Sequence, residues 1–518
     1  MNPPFTRATN HEGNRSNVPN PMFAAFGSSA EDQKAMADAT KRLITGTSAH
    51  GNAGEASLFL VLADRKLKDS GMLAMVMPLS LMLGESWENS RTMLANGYSE
   101  LVIVSISGVD GGELSFSADT DMAECLIVGR KAKVGNNRAT FVVLKRRPEF
   151  QMLGASAAVQ IHRLIGTKKI RSLEDGPFGG TLLHFGNDII GQAIEAALPT
   201  SAGWSLARIA DLSLAQAAYQ LTEMSRVWLP AMEESEAAPV PITTVQAVGL
   251  IGPIDRDIDG TTPTGGLRGP FVIEDTSEGS APTYLVLWAH QASREQTILF
   301  EADCEGIPRK AVIVHKPIEG ESGEERERRN KLEEGEQKER QETIDEKVAS
   351  LWETASHCHF NRDFRFNSQS TGIQFTPRRT IGGRAWLSIR LASVEQEKAL
   401  VLWANTSLGM LLHWWHANKQ QPGRGSIGKS ALQSLPILDV TELSTPRLEA
   451  AVQLFDAMSG LSLLPLHEID KDLVRRDLDH AFARDVLGLP EKFGEAGGPL
   501  ELLRMKLARE PSILGSKG

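Results

Sequence analysis

The feature that most constrains the fold is the switching of hydrophobic period between residues 55 and 131. Residues 55–69 repeat apolar positions at helical spacing, with Leu58, Phe59, Leu62 and Leu67 on one side and Gly71 as the stop. The apolar run Met72–Leu83 follows, long enough for a buried strand and the entry to a loop. Residues 85–97 return to the helical period, with Trp87 and Leu94 apolar and Gly97 ending the segment. Leu101–Ile106 alternates as a strand does, and Met122–Val128 reads as another buried strand. Helix, strand, helix, strand, strand is the pattern of one half of a doubly wound α/β sheet, because strands covered by helices on both faces are apolar throughout.

Composition sets the outer limits. At 518 residues the chain has room for two to four domains, and 41% apolar residues supply sizeable cores. A net charge of −10 excludes a generic nucleic-acid-coating protein. No run approaches the roughly 18 apolar residues of a membrane span, and no signal-peptide pattern opens the chain, which predicts a cytoplasmic protein. Three cysteines (Cys125, Cys304 and Cys358) cannot build a disulfide scaffold.

Asn2-Pro3-Pro4-Phe5 is the first local signal with chemical content. The exocyclic amino group of an aromatic base is a poor nucleophile, because its lone pair is delocalised into the ring. An Asn side-chain oxygen and the carbonyl of the next residue can both accept its hydrogens and favour a nucleophilic geometry. Prolines hold the backbone rigid and bring no competing amide hydrogen, and an aromatic ring can stack on a base extruded from the duplex. The same four residues also make an ordinary turn. The text that follows bears on the choice. Leu-Lys-Asp-Ser-Gly-Met-Leu-Ala-Met-Val-Met-Pro at 67–78 and Phe-Ser-Ala-Asp-Thr-Asp-Met-Ala-Glu-Cys-Leu-Ile-Val-Gly-Arg-Lys at 116–131 have the order and spacing of the strands after such a tetrad. With it, they resemble the adenine-specific DNA methyltransferases of restriction and related defence systems, in the subclass whose target-recognition domain is C-terminal. The resemblance is good over residues 1–147 and looser beyond.

That resemblance implies an α/β fold: the second half of a Rossmann-like methyltransferase sheet, then a mixed α/β target-recognition region. It implies S-adenosylmethionine as methyl donor, double-stranded DNA as partner, and Asn2, Pro3, Pro4 and Phe5 as the catalytic set. Phe116 would be a base-stacking residue, although a Phe at a strand end is most often core. Asp119 and Asp121 read as turn formers. The family's glycine-rich cofactor loop has no counterpart here. Phe493–Gly498, Gly265–Gly266 and Gly179–Gly180 are the nearest strings, and none follows a good strand. The expectation is a fragment, a split enzyme whose partner chain supplies the cofactor half, or a remnant. With the central strands elsewhere, Met72–Met77 would be a bare apolar edge, and residues 1–150 alone would be poorly soluble.

The rest divides by charge. Residues 1–150 are the methyltransferase part, and 151–320 a middle mixed α/β region with strands at Tyr284–Trp288 and Ala311–Val314 and a helix at Leu212–Met224. Residues 321–347 form a mixed-charge helix or linker, 348–450 a DNA target-recognition module, and 451–518 a helical C-terminal segment. The window 351–440 carries a net charge of +5 within a chain of −10, and interleaves arginines with Phe360, Phe364, Phe366, Phe375 and Trp386. Arg362, Arg365, Arg378, Arg379, Arg384 and Arg424 are the candidate DNA-binding residues, since arginine neutralises phosphate and reads guanine bidentately. Surface arginines over an aromatic core would give the same pattern, and a non-catalytic DNA-recognition protein is the alternative to an enzyme. Lys398–Trp415 reads as one buried helix, and its text Leu402–Gly409 resembles the helix that closes target-recognition domains in this family and in restriction specificity subunits. His357-Cys358-His359 alternates across a strand without a second ligand pair, so no metal site is expected.

Overall fold

The computed structural model describes residues 1–3, 30–109, 113–117, 122–198, 204–261, 268–276, 283–291, 295–311, 322–419 and 423–515. Pro4, Phe5, Asp119, Asp121, Gly265, Gly266 and residues 312–314 lie outside them. The chain is mixed α/β, with parallel and antiparallel pairing in both of its large sheets.

The first sheet has six strands: β1 (Met72–Pro78), β2 (Tyr98–Ile106), β3 (Glu124–Lys131), β4 (Arg138–Leu144), β5 (Thr181–Phe185) and β6 (Asp188–Ala197), in the order β1-β3-β2-β4-β6-β5. The β2–β4 pair is parallel and the other four pairs are antiparallel. The three strands expected before residue 131 are present, but the sheet runs past residue 150. β6 pairs with β4 over seven residues, and β5 returns along β6 through a turn in which Gly186 has a φ of 62°, the left-handed region that hairpin turns demand. The helix Glu55–Lys66 forms as expected, with its buried side shifted. Glu55, Ala56, Ser57, Leu60 and Val61 are its buried positions, Phe59 and the following Leu67 pack on the core part-buried, and Leu62 is 48% exposed.

A second, seven-stranded sheet runs in spatial order 250–251, 386–390, 356–361, 373–382, 285–287, 304–308 and 271–275. The middle region and the basic window therefore interleave in one sheet, with Leu285–Leu287 lying parallel to Ile373–Gly382. The mixed-charge segment is a 31-residue helix, Gly323–Glu353, opened by a capping box between Ser322 and Glu325. Of its side chains only Ile344 and Val348 are buried, as a solvated helix requires. Lys398–Trp415 is two helices, Val394–Asn405 and Ser407–His416. Thr406 breaks them: its hydroxyl accepts a hydrogen bond from Gly409 N at 3.2 Å as the second helix's cap. Asn405 is buried and ties the break to the sheet, donating to Ile373 O at 2.7 Å and accepting from Gly372 N at 3.1 Å. A Cβ on Gly409 would lie 2.1 Å from Trp403 O, so only glycine fits that crossing.

One contiguous core runs from Ala56 and Met75 through Trp204 and Leu214 to Phe360, Trp403, Trp414 and Ile513, joining the first sheet to the last helices. Arg475 is fully buried within the C-terminal part. Its guanidinium donates to Asp472 (3.3 Å), Asn405 O (2.7 Å), Ser370 O (2.8 Å) and Leu464 O (3.2 Å), so a buried charge is paired and its donors are used. Among the described residues no helix is long and apolar enough to cross a membrane.

Candidate functional site

The first site forms at the carboxyl end of β1. Met1 N donates to Ala74 O and Val76 N donates to Met1 O, both at 2.9 Å. Two bonds to the residues flanking Met75 are the parallel ladder pattern, so Met1 lies along the edge of β1 opposite β3 and delivers Asn2 to the strand's carboxyl end. There Asn2 Nδ2 donates to Ser117 Oγ at 3.1 Å. Ser117 Oγ donates to Glu124 Oε1 at 2.8 Å, and Glu124 Oε2 accepts the backbone N–H groups of Phe116 (2.7 Å) and Ser117 (2.8 Å). Glu124, at the start of β3 opposite Pro78, is buried.

The direction of this relay is fixed by chemistry. A carboxylate can only accept, so the Ser117 hydroxyl gives its hydrogen to Glu124 and presents lone pairs to Asn2. The Asn2 amide then turns its NH₂ towards Ser117 and its Oδ1 away from it, and among the described residues nothing donates to that oxygen. A cleft of about 560 Å³ opens at the same end of β1, lined by Asn52, Pro78, Glu85, Trp87 and Met122; Pro78, the strand partner of Glu124, is its link to the relay, whose own residues do not line it. Phe116, adjacent to Ser117, is half-buried and packs on the apolar cluster of Val142, Leu144, Ile161, Leu183 and Ala193. Sequence reasoning singled out Asn2 and Phe116 but not Ser117 and Glu124, which carry no recognisable spacing.

The second site is polar and basic. Asp363–Arg365 and Arg424–Ser426 form a two-stranded antiparallel ribbon in which Arg365 is the direct partner of Arg424. Arg384, before the strand Trp386–Arg390, lines the same cleft of about 480 Å³, together with Asp363, His290 and Asn418. Arg365, Arg384 and Arg424 are all exposed, and none enters an ion pair among the described residues. Like charges placed directly across a ribbon repel, and an anion between them would remove that cost. The floor is held by Glu295, whose buried carboxylate meets His290 Nδ1 at 3.0 Å and Gln369 Nε2 at 2.6 Å, while the His290 ring packs edge-on against Trp386 at 5.6 Å.

The other arginines are elsewhere. Arg362 approaches Asp255 at 3.9 Å, and Arg378 is exposed on the strand Ile373–Gly382. Arg379 donates to Ala355 O (2.9 Å), Trp352 O (2.6 Å) and Glu353 O (3.1 Å), closing the carboxyl end of the long charged helix, with its guanidinium 5.5 Å from the Trp352 ring. Its donors therefore serve the fold. His357 and His359 share a face as the alternation requires, both bonding Thr376, and burial lowers the His359 pKa to about 3. No group of three or more His, Cys, Asp or Glu that could hold a metal occurs among the described residues.

No family model and no curated protein matches the chain. Solved structures do. One is the type IIG restriction endonuclease BpuSI, with 14% identity and a TM-score of 0.33 over 93% of this chain and 53% of that one. Another is a modification subunit of a putative type I restriction enzyme from Vibrio vulnificus YJ016, with 21% identity and a TM-score of 0.17 over 29% of this chain and 25% of that one. The chain thus spans about half the length of the first and a quarter of the second. Both come from restriction systems, and at such TM-scores neither likeness fixes an activity for this chain.

Proposed function

We propose that this chain is the substrate-orienting and DNA-reading part of a cytoplasmic DNA-modifying enzyme that methylates the exocyclic amino group of an adenine flipped out of the duplex. The observation that carries the reading is the Asn2–Ser117–Glu124 relay at the carboxyl end of β1, which turns the amide's NH₂ inward and its oxygen away from Ser117. Asn2 Oδ1 accepts one amino hydrogen, the carbonyl of Pro3 accepts the other, Pro4 stiffens the turn and Phe5 stacks on the extruded ring. The released proton leaves to solvent, so no general base is required. Arg365, Arg384 and Arg424 hold the phosphates of double-stranded DNA.

S-adenosylmethionine supplies the methyl group in this scheme. The described residues do not fit it: β1 is followed by Leu79 and the short helix Ser80–Leu83, not by a glycine loop. Of the glycine strings set aside above, Gly494, Gly498 and Gly180 are packed against protein. A Cβ on Gly494 would meet His480, and one on Gly180 would meet Leu212 and Ala193 O. The proposal therefore assigns the cofactor to segments beyond the described residues or to a partner chain. The same misfit favours the second reading, a DNA-recognition protein without catalysis. One substitution separates them. Asn2→Ala abolishes methyl transfer to duplex DNA by the assembled enzyme and leaves DNA affinity unchanged. Loss of DNA binding in that variant would make Asn2 structural and remove the proposal.

A further inference from the structure

A third cleft, of about 860 Å³, lies between β5 and the C-terminal helix Pro499–Arg509, away from both sites above. Four cations line it: Lys169, Arg171, Lys506 and Arg509. The two acids there are already engaged. Asp211 pairs with Lys506 at 2.6 Å, and buried Glu510 accepts the backbone N–H groups of Ala210 (3.1 Å) and Asp211 (3.0 Å). Lys169 and Arg509 are exposed and enter no ion pair among the described residues. The cleft therefore has uncommitted positive charge.

Its rim adds a flat apolar surface. Phe178 is 55% exposed, and its ring packs edge-to-face on the Trp228 ring, at 89° and 5.6 Å between centroids. Trp228 in turn fits against Gly176, where φ is 101° and a Cβ would come within 2.5 Å of the indole. Arg171 clamps the segment from below, donating to Phe178 O at 2.8 Å. An exposed ring at the mouth of a groove with free cations is the combination that holds a phosphate together with an unstacked base. A duplex presents no base face to such a ring, because its bases are stacked inside.

We propose that this cleft binds a nucleotide unit in unpaired form, phosphate on Lys169 and Arg509 and base on Phe178. The unit is either part of a displaced single strand or a free nucleotide. The test uses the full chain and fluorescence anisotropy with a labelled oligothymidylate, a labelled duplex and labelled AMP. Phe178→Ala weakens oligothymidylate binding about fivefold or more. Lys169→Ala with Arg509→Ala weakens it further and lowers the slope of log K against log salt by about 1.4. Neither variant changes duplex affinity. Direct binding of labelled AMP that both variants weaken, with no oligothymidylate binding, supports the site and makes the free nucleotide its ligand. Oligothymidylate affinity unchanged within about twofold in variants that melt like the parent overturns the proposal, as does an equal loss for duplex and single strand. Asn2→Ala leaves all these readouts untouched, so this proposal and the methylation reading fail separately.

Discussion

Arg424→Gln tests whether the basic cleft is kept for a ligand and not for the fold. Arg424 sits directly across the ribbon from Arg365, with Arg384 on the same cleft and no ion pair to any of the three among the described residues. Like charges opposite each other on a ribbon cost roughly 0.2–1 kcal/mol. Glutamine keeps most of the stem and removes the charge. The variant is therefore more stable than the parent by about 0.5 kcal/mol at low salt, a rise of roughly 1 °C in Tm for a chain of this size. The Debye length falls from about 30 Å at 0.01 M salt to about 3 Å at 1 M, so the gain disappears at high salt. Duplex DNA reverses the order. Parent and variant are melted at both salt concentrations with and without duplex, and the ligand stabilises the parent more because it binds the parent more tightly. Loss of one phosphate contact also lowers the salt slope of duplex binding by about 0.9. A variant less stable than the parent at low salt, or a gain that persists at 1 M, refutes the argument, because Arg424 would then be part of the scaffold.

Glu124→Gln replaces an acceptor with a group that can donate to Ser117, which permits the Asn2 amide to turn its oxygen inward. At about 1 kcal/mol for the hydrogen bond that sets the amide, methylation by the assembled enzyme falls about fivefold with DNA affinity unchanged, and an undiminished rate would dismiss the relay. Arg475→Met leaves Asp472 buried without its partner and three carbonyls without donors, costing about 3–5 kcal/mol; thermal unfolding within about 1 °C of the parent would contradict the accounting. Glu510 is pushed up to about 7 by burial, so its folded form holds the proton more tightly than the unfolded chain. Its contribution is full below its ordinary pKa of 4.5 and is lost as pH rises towards about 7, and Glu510→Gln removes that slope from the stability profile measured by melting across this range.

The parts legible in the sequence were those where local period and burial agree. The helix Leu212–Glu223 lies within one residue of its expected limits, because nine of its twelve residues are buried and the pattern is saturated. The hairpin β5–β6 escaped notice, since Asp-Ile-Ile-Gly-Gln-Ala-Ile-Glu-Ala-Ala is ordinary helical text that becomes a strand only because β4 offers it a ladder. The break at Thr406 was hidden in a continuous apolar run, and only the Asn405 bonds to the neighbouring strand explain it. At the site, Asn2 announced itself by its prolines. Ser117 and Glu124 are common residue types seven positions apart, Glu124 at the start of β3, and their meeting with Asn2 is a product of the sheet's register.

The unbroken core has an evolutionary consequence. Because apolar contacts run continuously from the first sheet to the last helices, and the strand Leu285–Leu287 of the middle region is stitched beside Ile373–Gly382, the described residues offer no seam at which the arginine-bearing half could be exchanged for that of a relative. If the chain reads DNA as proposed, a lineage built this way would not change its target by exchanging modules. It would revise specificity in place, one side chain at a time, on ribbons such as the one carrying Arg365 and Arg424, where replacements leave the shared interior undisturbed.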